Sequence, residues 1–168
     1  MKRILGIDPS LASTGVALVE DGELALFDTI RTSPTLEEAE RLHRIAQYLE
    51  STLSHDSISI NAVAIEGYAF GQRVSLATMG QVGGVIRLAI HRAGFKYAVW
   101  PVASWRKAVL GNARLAKDEV RLEVYKRYAV QIPDDNALEA YCVAMAEWLA
   151  QSGAARPRPR AKRSRPAA

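Results

Sequence analysis

With 168 residues, 49% of them hydrophobic, the chain is sized for one domain with a core of its own. No apolar run nears the ~20 residues that cross a bilayer. The basic start meets only a short apolar stretch before Asp8, so neither a secretory signal nor a membrane partner is expected. Cys142 is the only cysteine, which excludes an intrachain disulfide and fits a reducing, cytoplasmic setting.

Arg3 to Val19 is the stretch around which the chain is organised. Ile4, Leu5 and Ile7 form a short apolar run bounded by turn residues, which predicts a buried strand. Asp8 closes it, and Pro9, lacking an N–H, ends the pairing. Gly15 is read as the residue that lets the chain reverse before the apolar run Val16–Val19. Asp21-Gly22 between that run and Leu24–Thr29 is a hairpin signal, so three strands open the chain, the second antiparallel to both neighbours. Thr35-Leu36-Glu37-Glu38 fits a capping box, and Leu36, Leu42, Ile45, Leu49 and Leu53 recur at helical spacing as far as His55. Ala62–Gly67 predicts a fourth strand, again apolar and again closed by a carboxylate, Glu66.

After a loop from Tyr68 to Val74, a helix is expected over 75–92. Its three glycines, Gly80, Gly83 and Gly84, cost ~1 kcal/mol each relative to alanine and imply that another backbone comes close, either the sheet or a second subunit. Tyr97–Trp100 is a fifth strand. Short helices follow over 103–110 and 116–129, separated by a basic loop. Pro133-Asp134-Asp135 opens a last helix running through Trp148, with Leu138, Cys142, Met145 and Leu149 along one face. Residues 1–152 are therefore read as one domain, and 153–168, rich in proline and arginine, as a disordered basic tail.

This order predicts an α/β fold with a mixed five-stranded sheet flanked by helices. Right-handed crossovers place strands one and four side by side, which brings Asp8 and Glu66 to the same end of adjacent parallel strands, where open sheets bind ligands. Two carboxylates at a core edge repel unless a cation compensates. Oxygen donors without cysteine or histidine point to Mg²⁺ or Mn²⁺, and a pair of ions needs further ligands. The last helix offers Asp134, Asp135, Asn136 and Glu139. Asp135 and Glu139 (i, i+4) or Asn136 and Glu139 (i, i+3) share a helix face; equally, one of the aspartates is an N-cap and Glu139 a solvated first-turn acid.

The charge is unevenly spread. Six of the 22 basic residues lie beyond Gln151 with no acid among them, which leaves 16 basic against 18 acidic residues in the rest. Between Lys96 and Arg127 the sequence is again basic. A slightly acidic body with a basic band and tail suits a polyanion, or is a solvated helix face with a basic terminus.

Several of these stretches together resemble the RuvC family of Holliday junction resolvases, within the ribonuclease H-like superfamily. Gly6-Ile7-Asp8-Pro9-Ser10 with Thr14-Gly15 is similar to its first motif. Ile65 to Phe70 is similar to the second, and Gly80 to Gly84 to the glycine-bearing helix. Trp105 to Gly111 with Lys117 is similar to the basic segment, and Asp135 to Tyr141 to the closing acidic motif. The likeness covers most of residues 3–150 and is nearer to phage or prophage members, which adds an infected bacterial cell as a setting.

The resemblance implies a ribonuclease H-like fold and a homodimer that binds four-way or branched DNA and cuts it by metal-dependent phosphodiester hydrolysis. Asp8, Glu66, Asp135 and Glu139 would be catalytic. With Asn136 they would be ligands of Mg²⁺, which Mn²⁺ can replace, at two ions per site. Glu139 stands where the family usually has aspartate, and Asn136 or Asp135 at its third acidic or histidine position, so a weakened second metal site with a preference for Mn²⁺ is expected. Arg106, Lys107, Arg114 and Lys117 would contact DNA phosphates, and Tyr68 or Phe70 would stack on a base. Two other readings stand beside this one: a junction-binding protein with a degraded catalytic set, and a related RNA-processing nuclease. Actin-like kinases share an Asp near a Gly-Ser-Thr turn, but need two such domains.

Overall fold

In the computed structural model, which describes residues 1–55, 58–67 and 76–159, the opening apolar run forms β1 (Arg3–Asp8). It is followed by β2 (Ser13–Glu20), β3 (Glu23–Arg31), α1 (Glu38–Leu53), β4 (Ala62–Glu66), α2 (Leu76–Arg92) and β5 (Tyr97–Trp100). α3 (Val102–Trp105) passes directly into a π-helical turn (Arg106–Leu110), and α4 (Lys117–Tyr128) and α5 (Asp135–Ser152) complete the fold. The strands make one mixed sheet in the order β3-β2-β1-β4-β5. β1 runs antiparallel to β2 and parallel to β4, with Ile7 beside Ile65. The expected hairpin is present: Asp21 and Gly22 both have positive φ, 48° and 89°, as a type I′ turn requires.

Strand alternation divides the core in two. Leu5, Ile7, Val16, Leu18, Val63 and Ile65 face α1 and α2, and pack on Ile45, Leu49, Ile86 and Ile90. Ile4, Ala17, Val19 and Ala64 face α5 and, beyond it, the π-helical turn and α4. α5 is buried nearly all round, through Ala137, Leu138, Ala140–Ala146 and Leu149, rather than along the single expected face. Its small residues allow the sheet and the outer helices to approach it from opposite sides.

Three further expectations are corrected. Gly15 lies inside β2, paired with Asp8, and the reversal falls at 9–12. A Cβ at Gly15 would collide with the backbone of Asn136, and one at Gly6 with the backbone carbonyl of Ala140; both glycines are there for close approach, not for a turn. The capping box at Thr35 does not form. α1 begins at Glu38 with Glu37 as N-cap and no side-chain cap, while Thr35 bonds the Ser33 hydroxyl. The helix expected over 103–110 is α-helical only as far as Trp105.

After Ser152, Gly153 closes α5 with φ of 68°. Residues 154–159 are exposed and without regular structure, yet are tied at two points. Arg156 donates to the Lys107 carbonyl at 2.9 Å, and Arg127 donates to the Pro157 carbonyl at 3.0 Å. Among the described residues no helix is long and apolar enough to cross a membrane.

Candidate active site

The same alternation that sorts the core aims the carboxylates. Asp8 follows Ile4 and Gly6 onto the α5 side of β1, and Glu66 follows Ala62 and Ala64 onto the same side of β4. Glycine at positions 6 and 15 lets the first turns of α5 sit against the sheet, which delivers Glu139 to the two strand ends. Carboxylate oxygens of Asp8, Glu66 and Glu139 lie within 4.8 Å of one another. They line a cleft of about 490 Å³ with Ser10, Arg106, Lys117 and Asn136.

The trio is costly without a counter-charge. Asp8, 7% exposed, is held well above the usual carboxylate range, first by burial and then by the charges of Glu66 and Glu139. Burial followed by Glu139 raises Glu66 to about 7, against the opposing hydrogen bond from Trp105. Burial also raises Glu139, while Lys117 and Arg106 pull it down. The two cations do not offset the burial. Three oxygen donors, each pushed toward protonation, suit a hard divalent cation, which would restore all three to the ionised form. The cluster therefore fits a metal of that class.

Of the other candidates on α5, Asp134 is the N-cap. Its side chain accepts from the amides of Asn136 and Ala137 and pairs with Arg31 at 2.7 Å. Asp135 stands outside the trio. It is half-exposed and pairs with Arg121 and, at 3.7 Å, with Lys117. Of the two expected pairs, the cleft thus receives Asn136 with Glu139. Asn136 donates from its amide nitrogen to the Ser13 hydroxyl, so its amide oxygen is what it can offer a cation.

The basic residues divide as well. Lys107 and Arg114 are exposed, and Lys117 is exposed at the cleft. Arg106, read from sequence as a phosphate contact, is turned inward. It donates to the Leu115 carbonyl at 2.8 Å, lies 3.7 Å from Glu139 and stacks on Trp105. Tyr68 and Phe70 lie outside the described residues. Sequence reasoning missed Ser13 and Trp105, whose indole N–H donates to Glu66 at 2.8 Å. The signal for the second was available: a tryptophan inside an apolar helix needs an acceptor for its one polar hydrogen.

The likeness to known proteins extends over most of the chain. A family model described as "Crossover junction endodeoxyribonuclease RuvC" matches residues 4–147. A relative of that description from Synechococcus sp. (strain WH7803) is 30% identical over 153 residues, which are 88% of this chain and 98% of the relative. The Thermus thermophilus RuvC structure superposes with a TM-score of 0.78 at 25% identity, covering 92% of this chain and 99% of that one. T. thermophilus RuvC in complex with Holliday junction substrate gives 0.78 at 23% identity, over 94% and 99% of the two chains, and shares the fold.

Proposed function

Because the chain belongs to the RuvC family of crossover junction endodeoxyribonucleases, we propose that it is a structure-selective endonuclease that cleaves Holliday junctions or related branched DNA by phosphodiester hydrolysis. The observation that carries this reading is the convergence of Asp8, Glu66 and Glu139 at one end of the sheet, in a chain matched to the family over residues 4–147. Family members depend on divalent metal. The finer assignment is Mg²⁺, replaceable by Mn²⁺, at two ions per site. Such ions neutralise the charge on the attacking and leaving oxygens of the displacement.

Asp8, Glu66 and Glu139 hold the cations, and Asn136 adds a neutral oxygen. Asp135 acts at the rim rather than as a ligand. It shares its charge between Lys117 and Arg121 and so sets how much of the Lys117 charge reaches a phosphate in the cleft. Arg106 balances Glu139 from inside and touches DNA only through the edge of the cleft. Lys107, Arg114 and Lys117 bind backbone phosphates on either side of the scissile bond. Tyr68 and Phe70 lie within four residues after Glu66 in the sequence, and one of them is assigned to base stacking at the junction centre.

A homodimer supplies two such sites for two strands. Its support is the outer face of α2, where Leu76 and Leu88 are 72% and 47% exposed. Between them a Cβ at Gly80 or Gly84 would meet nothing within 4 Å. Among the described residues nothing packs on these two glycines, and a second copy accounts for them.

The test is cleavage of an end-labelled four-way junction in Mg²⁺ and in Mn²⁺, beside duplex and RNA controls. Symmetric nicks in the junction alone are expected, reduced ~10²–10³-fold in Asp8→Asn, the scale of losing a main electrostatic group of the site. Tight binding without cutting in either metal would replace this reading with that of a junction-binding protein.

A further inference from the structure

Two of the three clustered carboxylates are held from one dipeptide. Trp105 is completely buried where α3 gives way to the π-helical turn, and its Nε1–H donates to Glu66 Oε2 at 2.8 Å. The next residue, Arg106, lays its guanidinium 5.3 Å from the Trp105 ring centroid and reaches Glu139 Oε1 at 3.7 Å. Consecutive residues thus reach different carboxylates. π-Helical turns recur at functional sites.

An indole N–H is a donor with one hydrogen and no acceptor, so it bonds Glu66 only through a lone pair. The terminal torsion of a glutamate is broad. A fully buried indole fastened to one oxygen removes that freedom and commits the remaining lone pairs to the side where Asp8 and Glu139 lie. We propose that Trp105 is a positioning residue for the cation site, orienting the Glu66 carboxylate through its indole N–H. This rests on the reading of Asp8, Glu66 and Glu139 as cation ligands.

The chain contains its own control. Trp100 donates from its indole to Glu147 Oε2, also at 2.8 Å, about two turns further along α5 than Glu139 and outside the clustered trio. Both pairs satisfy an indole N–H, that of the fully buried Trp105 and that of the half-buried Trp100; only the first ends on a clustered carboxylate. A purely structural role for Trp105 predicts that its loss behaves like the loss of Trp100.

The experiment is calorimetric titration of Mn²⁺ into the whole protein as wild type, Asp8→Asn, Trp105→Phe and Trp100→Phe. Wild type is expected to show binding that Asp8→Asn abolishes. Trp105→Phe should weaken that binding ~10–100-fold, the usual scale for groups that orient ligands, and Trp100→Phe should leave it within about twofold. Equal affinity in Trp105→Phe and wild type overturns the positioning role and leaves the cation site standing. Wild type without any Asp8-dependent binding overturns both.

A second measurement needs no variant at position 105. The three tryptophans give three indole N–H signals in a nitrogen-labelled protein, assigned with Trp100→Phe and Trp148→Phe. Saturating Mg²⁺ should shift the Trp105 signal in wild type and not in Asp8→Asn. A Trp105 signal that does not move in wild type overturns the proposal.

Discussion

On one face of the sheet, Leu5, Ile7, Val16, Leu18, Val63 and Ile65 meet the branched side chains of α1 and α2. On the other, Gly6 and Gly15 meet the backbone of α5 with no side chain between. The first kind of packing is adjustable, since branched side chains repack when one of them changes. The second is not, because nothing lies between strand and helix that can yield. The unyielding face carries all three clustered carboxylates. A site that tolerates errors of only a fraction of an ångström is thus hung on the junction least able to drift.

The comparison is broken most severely at Gly6. Gly6→Ala must push α5 away from the sheet, and a loss of about 3 kcal/mol is expected, at the upper end of overpacking costs. Junction cleavage by the molecules that still fold should fall ~10²-fold, because Glu139 moves with the helix. On the opposite face, Ile45→Ala should cost as much, ~2–5 kcal/mol, yet leave cleavage per folded molecule unchanged. Chemical denaturation paired with single-turnover cleavage reads both, and equal activity losses in the two variants would remove the distinction between the faces.

Next in size is a pH effect confined to the α5 face. Burial raises Asp8, Glu66 and Glu139, and repulsion within the trio adds to Asp8 and Glu66, with Glu66 moved from 4.5 to about 7. Through that interval the metal-free native chain binds protons that the unfolded chain has released. Stability is therefore full below the ordinary carboxylate pKa and is lost as pH rises through 7. In chelator the melting temperature should fall from pH 5 to pH 8, and Mg²⁺ should raise it more at pH 8 than at pH 5. Glu66→Gln should flatten the fall. A melting temperature that climbs over this interval would show that the trio is not what titrates.

A smaller change is expected from Asn136→Asp, which adds a fourth charge where α5 meets β2. Cleavage in Mg²⁺ relative to Mn²⁺ should rise several-fold, on the ground that a harder, charged donor favours Mg²⁺. The same ratio in variant and wild type would mean that Asn136 is no ligand. The smallest effect belongs to the tail, rooted on the same side of the molecule through Arg156 and Arg127. Removing residues 154–168 should reduce the slope of log affinity against log salt for junction binding by up to ~0.9 for each phosphate that the tail had neutralised. An unchanged slope would deny the tail any part in binding.

The elements that position Asp8 and Glu66 were legible because each is a short apolar run stopped by a carboxylate, and a crossover rule sets them side by side. The hairpin was legible from Asp21-Gly22. The reach of α5 was not. A 3.6-residue period allows Asp135 or Asn136 to share a face with Glu139, and only the docking of the helix on Gly6 and Gly15 selects Asn136. The role of Gly15 was misread for the same reason, since a glycine that ends a turn and one that admits a backbone look alike in a string of letters. Arg106 and Lys107 are both basic and adjacent. That one is half-buried beside Glu139 and the other exposed depends on which way each faces from the turn at 106–110, which leaves no pattern in hydrophobicity. Thr35 lost its capping role to a local bond with Ser33.

The placement of Glu139 also bears on how the chain acquires its activity as it folds. β1, β2 and β3 are sequential neighbours and can pair locally, whereas Asp8 and Glu139 stand near opposite ends of the sequence and meet only when α5 docks. Closing a loop of that length costs chain entropy before the contact repays it. A chain that has built its meander and even added β4 has two of the carboxylates and lacks the third. A chain that ends before α5 therefore lacks the complete carboxylate cluster, which exists only where α5 closes on the sheet.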